Sequence, residues 1–184
     1  IRQPKVAKGK TLSRGGFTSP RVREGTYNVI IKKGRDIFEN KIELIYDSIT
    51  GLSKIEREKK HAITMKLYDM TQELAYLVYE LDLIISKLPL KSKVLKSLQE
   101  LKETLVITKG DNYVGSVESQ LREKMADLYS KVAESWDVPS NSELNNYEVI
   151  KKRFEQAKKT FGKLKSKLNI KDFSIDSYEK FLSK

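Results

Sequence analysis

The residue types that carry most enzyme chemistry are scarce in this chain. Its 184 residues contain one histidine, His61, and no cysteine. The absence of cysteine rules out disulfides, thiolate nucleophiles and thiolate metal ligands. His61 follows Lys59 and Lys60 near the start of a helical pattern. One imidazole makes a metal site only when carboxylates converge on it, and the sequence places no nucleophile to pair with it, so a surface role is expected. Carboxylates do occur in near pairs, Glu80 with Asp82 and Glu100 with Glu103. Glycoside hydrolysis needs two carboxyl groups facing each other across a sugar. These acids instead fall on polar helix faces among lysines, where solvation and i,i+4 pairing are the ordinary roles. There is no Glu-x-x-His pair for a di-iron bundle. A phosphate-binding P-loop, a dinucleotide fingerprint, a nucleophile elbow and a calcium loop are also missing. The expectation is a chain with no catalytic residue, no metal and no cofactor.

Binding chemistry has more to work with. Trp136 and the helical tyrosines Tyr68, Tyr76, Tyr79 and Tyr129 raise the question of sugar stacking. Tyr76 and Tyr79, three apart and off the seam, have a surface cluster open to them, but aromatics beside a helical seam more commonly widen the core or meet a neighbouring helix. The net charge is +11 and unevenly spread. Residues 1–41 carry 11 basic and 3 acidic residues (+8), residues 42–149 carry 14 and 18 (−4), and residues 150–184 carry 11 and 4 (+7). The basic ends supply candidate anion-binding residues: Lys5, Lys8, Lys10, Arg14, Arg21 and Arg23 at one end, and Lys151, Lys152, Arg153, Lys158 and Lys159 at the other. Such clusters attract phosphates or anionic surfaces. The competing reading is that the lysines keep a helix solvated. The nearby aromatics Tyr27, Phe154 and Phe161 hold core-like positions, so stacking platforms for single strands are not indicated.

The elements that must position these groups follow from punctuation and period. Residues 1–24 are broken by Pro4, Gly9, Gly15, Gly16 and Pro20 and read as irregular chain. Tyr27, Val29 and Ile31 then alternate onto one face, the period of a strand. A turn at Lys33-Gly34-Arg35-Asp36 and a second strand through residues 41–46 complete a β-hairpin. Two strands alone are marginal in water, so the hairpin needs partners. From Ser53 the period changes: Ile63, Leu67, Met70, Leu74, Leu77, Leu81, Ile84 and Leu88 form a heptad seam on a helix stopped by Pro89. At a 1.5 Å rise this helix is about 50 Å long, twice its successor, so it either projects past the bundle or bends. A second helix is expected over about 91–107. A third, capped by Ser116, runs to about Trp136, and a fourth follows Ser142 with Tyr147, Ile150, Phe154, Ala157, Phe161, Leu164 and Leu168 on its seam. A short last helix around residues 174–182 docks Phe173, Tyr178 and Phe181. Such seams with short connections favour an up-down bundle. The fold class expected is mainly α: an antiparallel four-helix-type bundle preceded by a small β-hairpin or partial β-sandwich. Residues 1–47 form the basic segment and β-module, and residues 48–184 form the bundle.

One stretch has a familiar shape. Pro20, Val22, Gly25, Tyr27 and Val29 follow the pattern Pro-x-Val-x-x-Gly-x-Tyr-x-Val. Asp47 falls where a second strand would end in Asp-Pro-Arg, with Ser48-Ile49 in place of Pro-Arg, and Lys66-Leu67-Tyr68-Asp69 lies in the early part of the long helix. Over residues 4–75 this resembles the region after the propeller in bacterial sortilin-like, BNR-repeat proteins, often labelled glycosyl hydrolases. Gly25 has its own rationale, since a chain turning into a strand often needs glycine's freedom in φ. The resemblance implies the C-terminal end of a longer secreted, periplasmic or cell-envelope protein, consistent with a chain that begins at Ile1. Any hydrolase activity would reside in the absent propeller. The expected partner is the rest of that parent chain, with another protein as a further candidate. The expected function is a non-catalytic structural or interaction module. Nucleic-acid or anionic-surface binding through the basic ends is the alternative.

Overall fold

The computed structural model describes residues 2–10, 14–47, 49, 51–110, 117–169 and 173–184. It is mainly helical. A 3-10 turn at Arg14–Phe17 precedes an antiparallel hairpin of β1 (Gly25–Lys33) and β2 (Asp36–Leu44). Helices α1 (Lys54–Lys87), α2 (Lys93–Leu105), α3 (Leu121–Glu134), α4 (Asn141–Lys165) and α5 (Tyr178–Ser183) follow. The second strand starts five residues earlier than its pattern suggested, because the loop is only Gly34-Arg35 and pairing resumes at once, Lys33 opposite Asp36. Gly25 takes φ +145° at the strand entrance, the freedom expected of it.

Helix α1 starts where Ser53 and Glu56 form a capping box: the Ser53 hydroxyl accepts from the Glu56 N–H, and the Glu56 carboxylate accepts from the Ser53 N–H at 2.8 Å. Its heptad residues Leu67, Leu74, Leu77, Leu81 and Ile84 are buried, with Ile63, Met70 and Leu88 packed at the margin. Each such leucine contributes about 1.5–3 kcal/mol through the area it removes from water. The extra length of α1 is covered by two helices in tandem. Lys102 of α2 pairs with Asp82 at 2.5 Å, so α2 lies against the C-terminal half. Tyr129 of α3 packs on Tyr68, with ring centroids 6.3 Å apart, and the Ser135 carbonyl just past α3 accepts from Lys60, so α3 runs antiparallel along the N-terminal half. Helix α4 runs parallel to α1: Lys158 pairs with Glu73 (3.2 Å) and Lys165 with Glu80 (2.6 Å), two contacts one heptad apart on both helices.

Several boundaries differ from the sequence expectation. Helix α2 stops at Leu105, and Val106 and Ile107 are buried in extended chain beyond it. Ser116 lies outside the described residues, and α3 begins at Leu121, where the Gln120 N–H donates to Glu123. Trp136 sits past the end of α3. Ser140, not Ser142, caps α4, because Glu143 stands at the third helical position to complete the box, whereas Ser142 has Asn145 there. Ser177 caps α5, which is six residues long.

Residues 2–10 and 14–24 form a strap laid along α3. Pro4 and Ala7 are buried, the Lys10 N–H donates to the Ile107 carbonyl (2.9 Å), and the Tyr129 hydroxyl donates to the Thr18 carbonyl (2.9 Å). The anchor is Arg122, only 4% exposed, which donates to the Ala7 carbonyl at 3.0 Å and pairs with Glu123 at 2.5 Å. Its guanidinium lies against Gly9 so closely that a Cβ there would meet Arg122 Cζ at 2.7 Å. At the other end, α5 covers Tyr76 and Tyr79. Their rings meet Tyr178 and Phe181 at 5.1–5.5 Å, so of the two readings open to the tyrosine pair the structure takes contact with a neighbouring helix, the last one. Asp176 closes this latch by accepting from Tyr79 (2.9 Å), Lys180 and Lys184.

Arg122→Ala removes the buried strap anchor and should cost about 3 kcal/mol. Gly9→Ala should produce a smaller loss in the same direction. Thermal melts with hydrogen exchange at residues 5–10 check both, and unchanged exchange contradicts the assignment. The bonds from Lys180, Lys184 and Tyr79 hold Asp176 well below the usual carboxylate range. Because the folded group binds its proton less readily than the unfolded chain, the contribution is complete above an ordinary carboxylate pKa near 4 and drains away as the pH falls further. Asp176→Asn should abolish the part of the acid loosening seen at the α5 resonances in NMR.

Candidate interaction face and basal cleft

The hairpin stands off the bundle, and its register sorts its side chains cleanly. Tyr27 lies opposite Ile42, and Ile31 opposite Phe38, with Val29 opposite Asn40 between them, so one face is apolar but for Asn40. The other face carries Thr26, Asn28, Lys32, Glu39, Lys41 and Glu43 around Ile30 and Ile37. Among the described residues no helix covers the apolar face: Ile31 is 59% exposed, Phe38 57% and Ile42 44%. The sheet has two strands, so among the described residues each strand also has an outer edge with no strand beside it. An apolar face of alternating residues flanked by open edges is the chemistry of β-strand addition and sheet-on-sheet packing.

The base of the hairpin is built differently. A cleft of about 710 Å³ opens between the strand ends, the first two turns of α1 and the C-terminal end of α3. Two cation–aromatic stacks frame it. The Arg57 guanidinium lies 4.0 Å from the Tyr46 ring centre, pairs with Glu24 at 2.7 Å and donates to the Leu52 carbonyl at 2.6 Å. Arg21 lies 3.7 Å from the Trp136 ring and donates to the Glu134 carbonyl at 3.0 Å. Such stacks contribute about 0.5–1 kcal/mol each at exposed sites and more when dry. Lys54, Lys60 and Arg23 add three more cations to the lining, against the carboxylates Glu24, Asp47 and Glu58. Among the described residues neither Arg23 nor Lys54 enters an ion pair.

His61 lines this cleft as a half-buried side chain. Its pKa is lowered, first by burial and then by the charge of Arg23, against a contact with the Arg21 backbone that favours the proton. Lys60 is lowered too, by burial and then by Arg21, with Asp137 and Glu143 opposing. Both cationic forms are therefore disfavoured in the same place, chiefly by burial and secondly by a neighbouring guanidinium.

The candidate anion-binding residues divide among separate places. Arg21 and Arg23 meet in the cleft. Lys5 lies over the Phe181 ring at 4.9 Å and donates to its carbonyl. Lys8 and Lys10 are exposed on the strap, and the Arg14 side chain lies outside the described set. On α4, Lys151 sits 3.8 Å from Glu148, Lys158 bridges Glu73 and Glu155, and Lys152, Arg153 and Lys159 face solvent. Reasoning from sequence missed Lys54, Arg57, Lys60 and Trp136 as cleft residues. Their approach to Arg21 and Arg23 depends on the strap, which has no local pattern. Among the described residues no group of three His, Cys, Asp or Glu side chains is disposed to hold a metal ion. No helix among them is long and apolar enough to cross a membrane.

The fold and these surfaces define a class, a helical bundle bearing a projecting two-stranded β-ribbon. No protein-family model, curated protein or solved structure matches the chain.

If the cleft carries uncompensated positive charge, the His61 midpoint measured by NMR should lie below 6.5 and should rise toward it in Arg23→Gln. A midpoint at or above 6.5 in the unsubstituted protein contradicts the charge excess.

Proposed function

We propose that this chain is a non-catalytic structural and interaction module, the C-terminal part of a secreted or envelope-associated sortilin-like β-propeller protein. In this reading, further β-strands of the parent polypeptide seat on the apolar face of the hairpin and make a small sandwich of it. One observation carries the reading: Ile31, Phe38 and Ile42, on the face they share with Tyr27 and Val29, are exposed and no helix covers them among the described residues. A two-stranded ribbon gains little from its own ladder, and an alternating apolar face fits a second sheet rather than a helix groove. The anchored base supports the same reading. Arg57 and Arg21 fix the strand ends against α1 and α3, so the ribbon is presented in a set direction. Residues 20–29 supply the resemblance to the strand that follows the propeller in that family. Any hydrolase activity would belong to the propeller.

Ile31→Ser combined with Phe38→Ser separates this reading from an idle surface ribbon. In the present chain the double variant should change stability by no more than about 0.5 kcal/mol, since both side chains already face water. In a polypeptide extended upstream by the preceding module it should cost about 3–6 kcal/mol, because two large apolar side chains would be buried there. The upstream extension should also protect the β1 amides from exchange. Equal losses in both proteins, or unprotected β1 amides in the extended one, would reject the sandwich.

A further inference from the structure

The basal cleft holds more than a joint requires. Arg57 and Arg21 fasten the hairpin base and the strap, each with its guanidinium carbon over an aromatic ring. Arg23 and Lys54 fasten nothing among the described residues, yet both line the same space. Lys60 uses one of its three donors on the Ser135 carbonyl, which leaves two for another acceptor. At about 710 Å³ the cleft is within the range that takes a small molecule.

We propose that this cleft is a binding site for a small, multiply charged oxyanion, a phosphate- or carboxylate-bearing molecule, engaged by Arg23, Lys54 and Lys60. The chemistry is complementary. Five cations line the cleft against three carboxylates, one of which, Glu24, is already taken by Arg57. A ligand with two negative charges would balance the remainder. Arg23 offers a planar fork suited to two oxygens, and the lysines offer point charges. Behind the larger effect of burial, Arg21 opposes the charge on Lys60 and Arg23 that on His61, a repulsion that a bound anion would relieve. The inference is independent of what covers the hairpin face.

The chain carries its own reporters. Trp136 is its only tryptophan and His61 its only histidine, and both line the cleft. Inorganic phosphate and citrate, titrated separately against sodium chloride at matched ionic strength, distinguish the two oxyanion sources. The expected result is a saturable change in Trp136 fluorescence with one or both, accompanied by a rise in the His61 midpoint, because a nearby anion favours imidazolium. Arg23→Gln with Lys54→Gln should weaken that binding about tenfold, while Lys152→Gln with Lys159→Gln on α4 should leave it unchanged. The proposal is overturned if neither anion moves the reporters beyond the chloride control. It is equally overturned if the α4 variant loses as much as the cleft variant. A single-stranded oligonucleotide that binds and is weakened only by the α4 variant, with phosphate and citrate silent, would point to a diffuse nucleic-acid surface in place of the cleft.

Discussion

The covering of the α1 seam governs the rest of the molecule. A 34-residue helix with apolar residues repeating every three and four positions has a stripe that no single neighbour of ordinary length can shield. The chain meets this constraint with two short helices in tandem on one side, α2 and α3, and one long parallel helix, α4. The apolar contacts supply most of the energy but are tolerant of sliding, since leucines one turn apart look alike to a facing helix. The polar pairs are less tolerant. Glu73–Lys158 and Glu80–Lys165 are offset by the same seven residues on both helices, and Glu80 is only 8% exposed. A one-turn slip would strand that carboxylate without its ammonium, an expensive arrangement for a nearly buried charge. The seam therefore drives association, and the ion pairs fix its register.

The hairpin follows the opposite logic. Its strands satisfy each other's backbones, but its side chains gain little from the bundle, so its stability must fall from base to tip. At the base, Arg57 ties Glu24, Tyr46 and the Leu52 carbonyl together, and Arg21 ties Trp136 to the end of α3. Beyond Tyr27 the ribbon depends on its ladder and cross-strand pairs. An apolar face kept in the open on an anchored stem is costly for solubility unless something covers it, and this asymmetry distinguishes the ribbon from a decorative loop.

How much of this could be read in the sequence depends on the range of the interaction involved. The α1 and α4 seams were legible because helical period is local, and so was the alternation of Tyr27, Val29 and Ile31. The Ser140 cap was legible in principle, since Ser-x-x-Glu is a local signature, and Ser142 misled only because it stands closer to the apolar run. The strap was not legible. Gly9 reads as a breaker, and only the position of Arg122, more than a hundred residues away, shows that its missing side chain makes room for a guanidinium. That Tyr76 and Tyr79 sit together was legible from their spacing, and that such aromatics meet a neighbouring helix was the commoner expectation; which helix was not legible, because α5 returns over them from nearly a hundred residues downstream. The cleft was partly legible: Arg21 and Arg23 were marked by their charge, whereas Trp136, Lys54 and Lys60 join them only through the tertiary path.

The net charge of +11 takes on a different meaning once the donors are followed. A basic chain suggests phosphate backbones, yet several of these cations are directed at the protein's own carbonyls. Arg21 and Lys60 both donate at the C-terminal end of α3, to Glu134 and Ser135, where helix carbonyls lack partners and the macrodipole favours positive charge. Lys5 donates to the Phe181 carbonyl in the last turn of α5, Lys87 to the Phe173 carbonyl and Arg57 to the Leu52 carbonyl. Acceptors of this kind cancel no formal charge, so a chain that ends its helices in this way stays basic on paper while its cations are occupied. Composition alone therefore overstates the charge available to an external partner. Lys152, Arg153 and Lys159 stay in solvent on α4, whereas at the cleft Arg23 and Lys54 are held beside two guanidinium groups that already lie over aromatic rings.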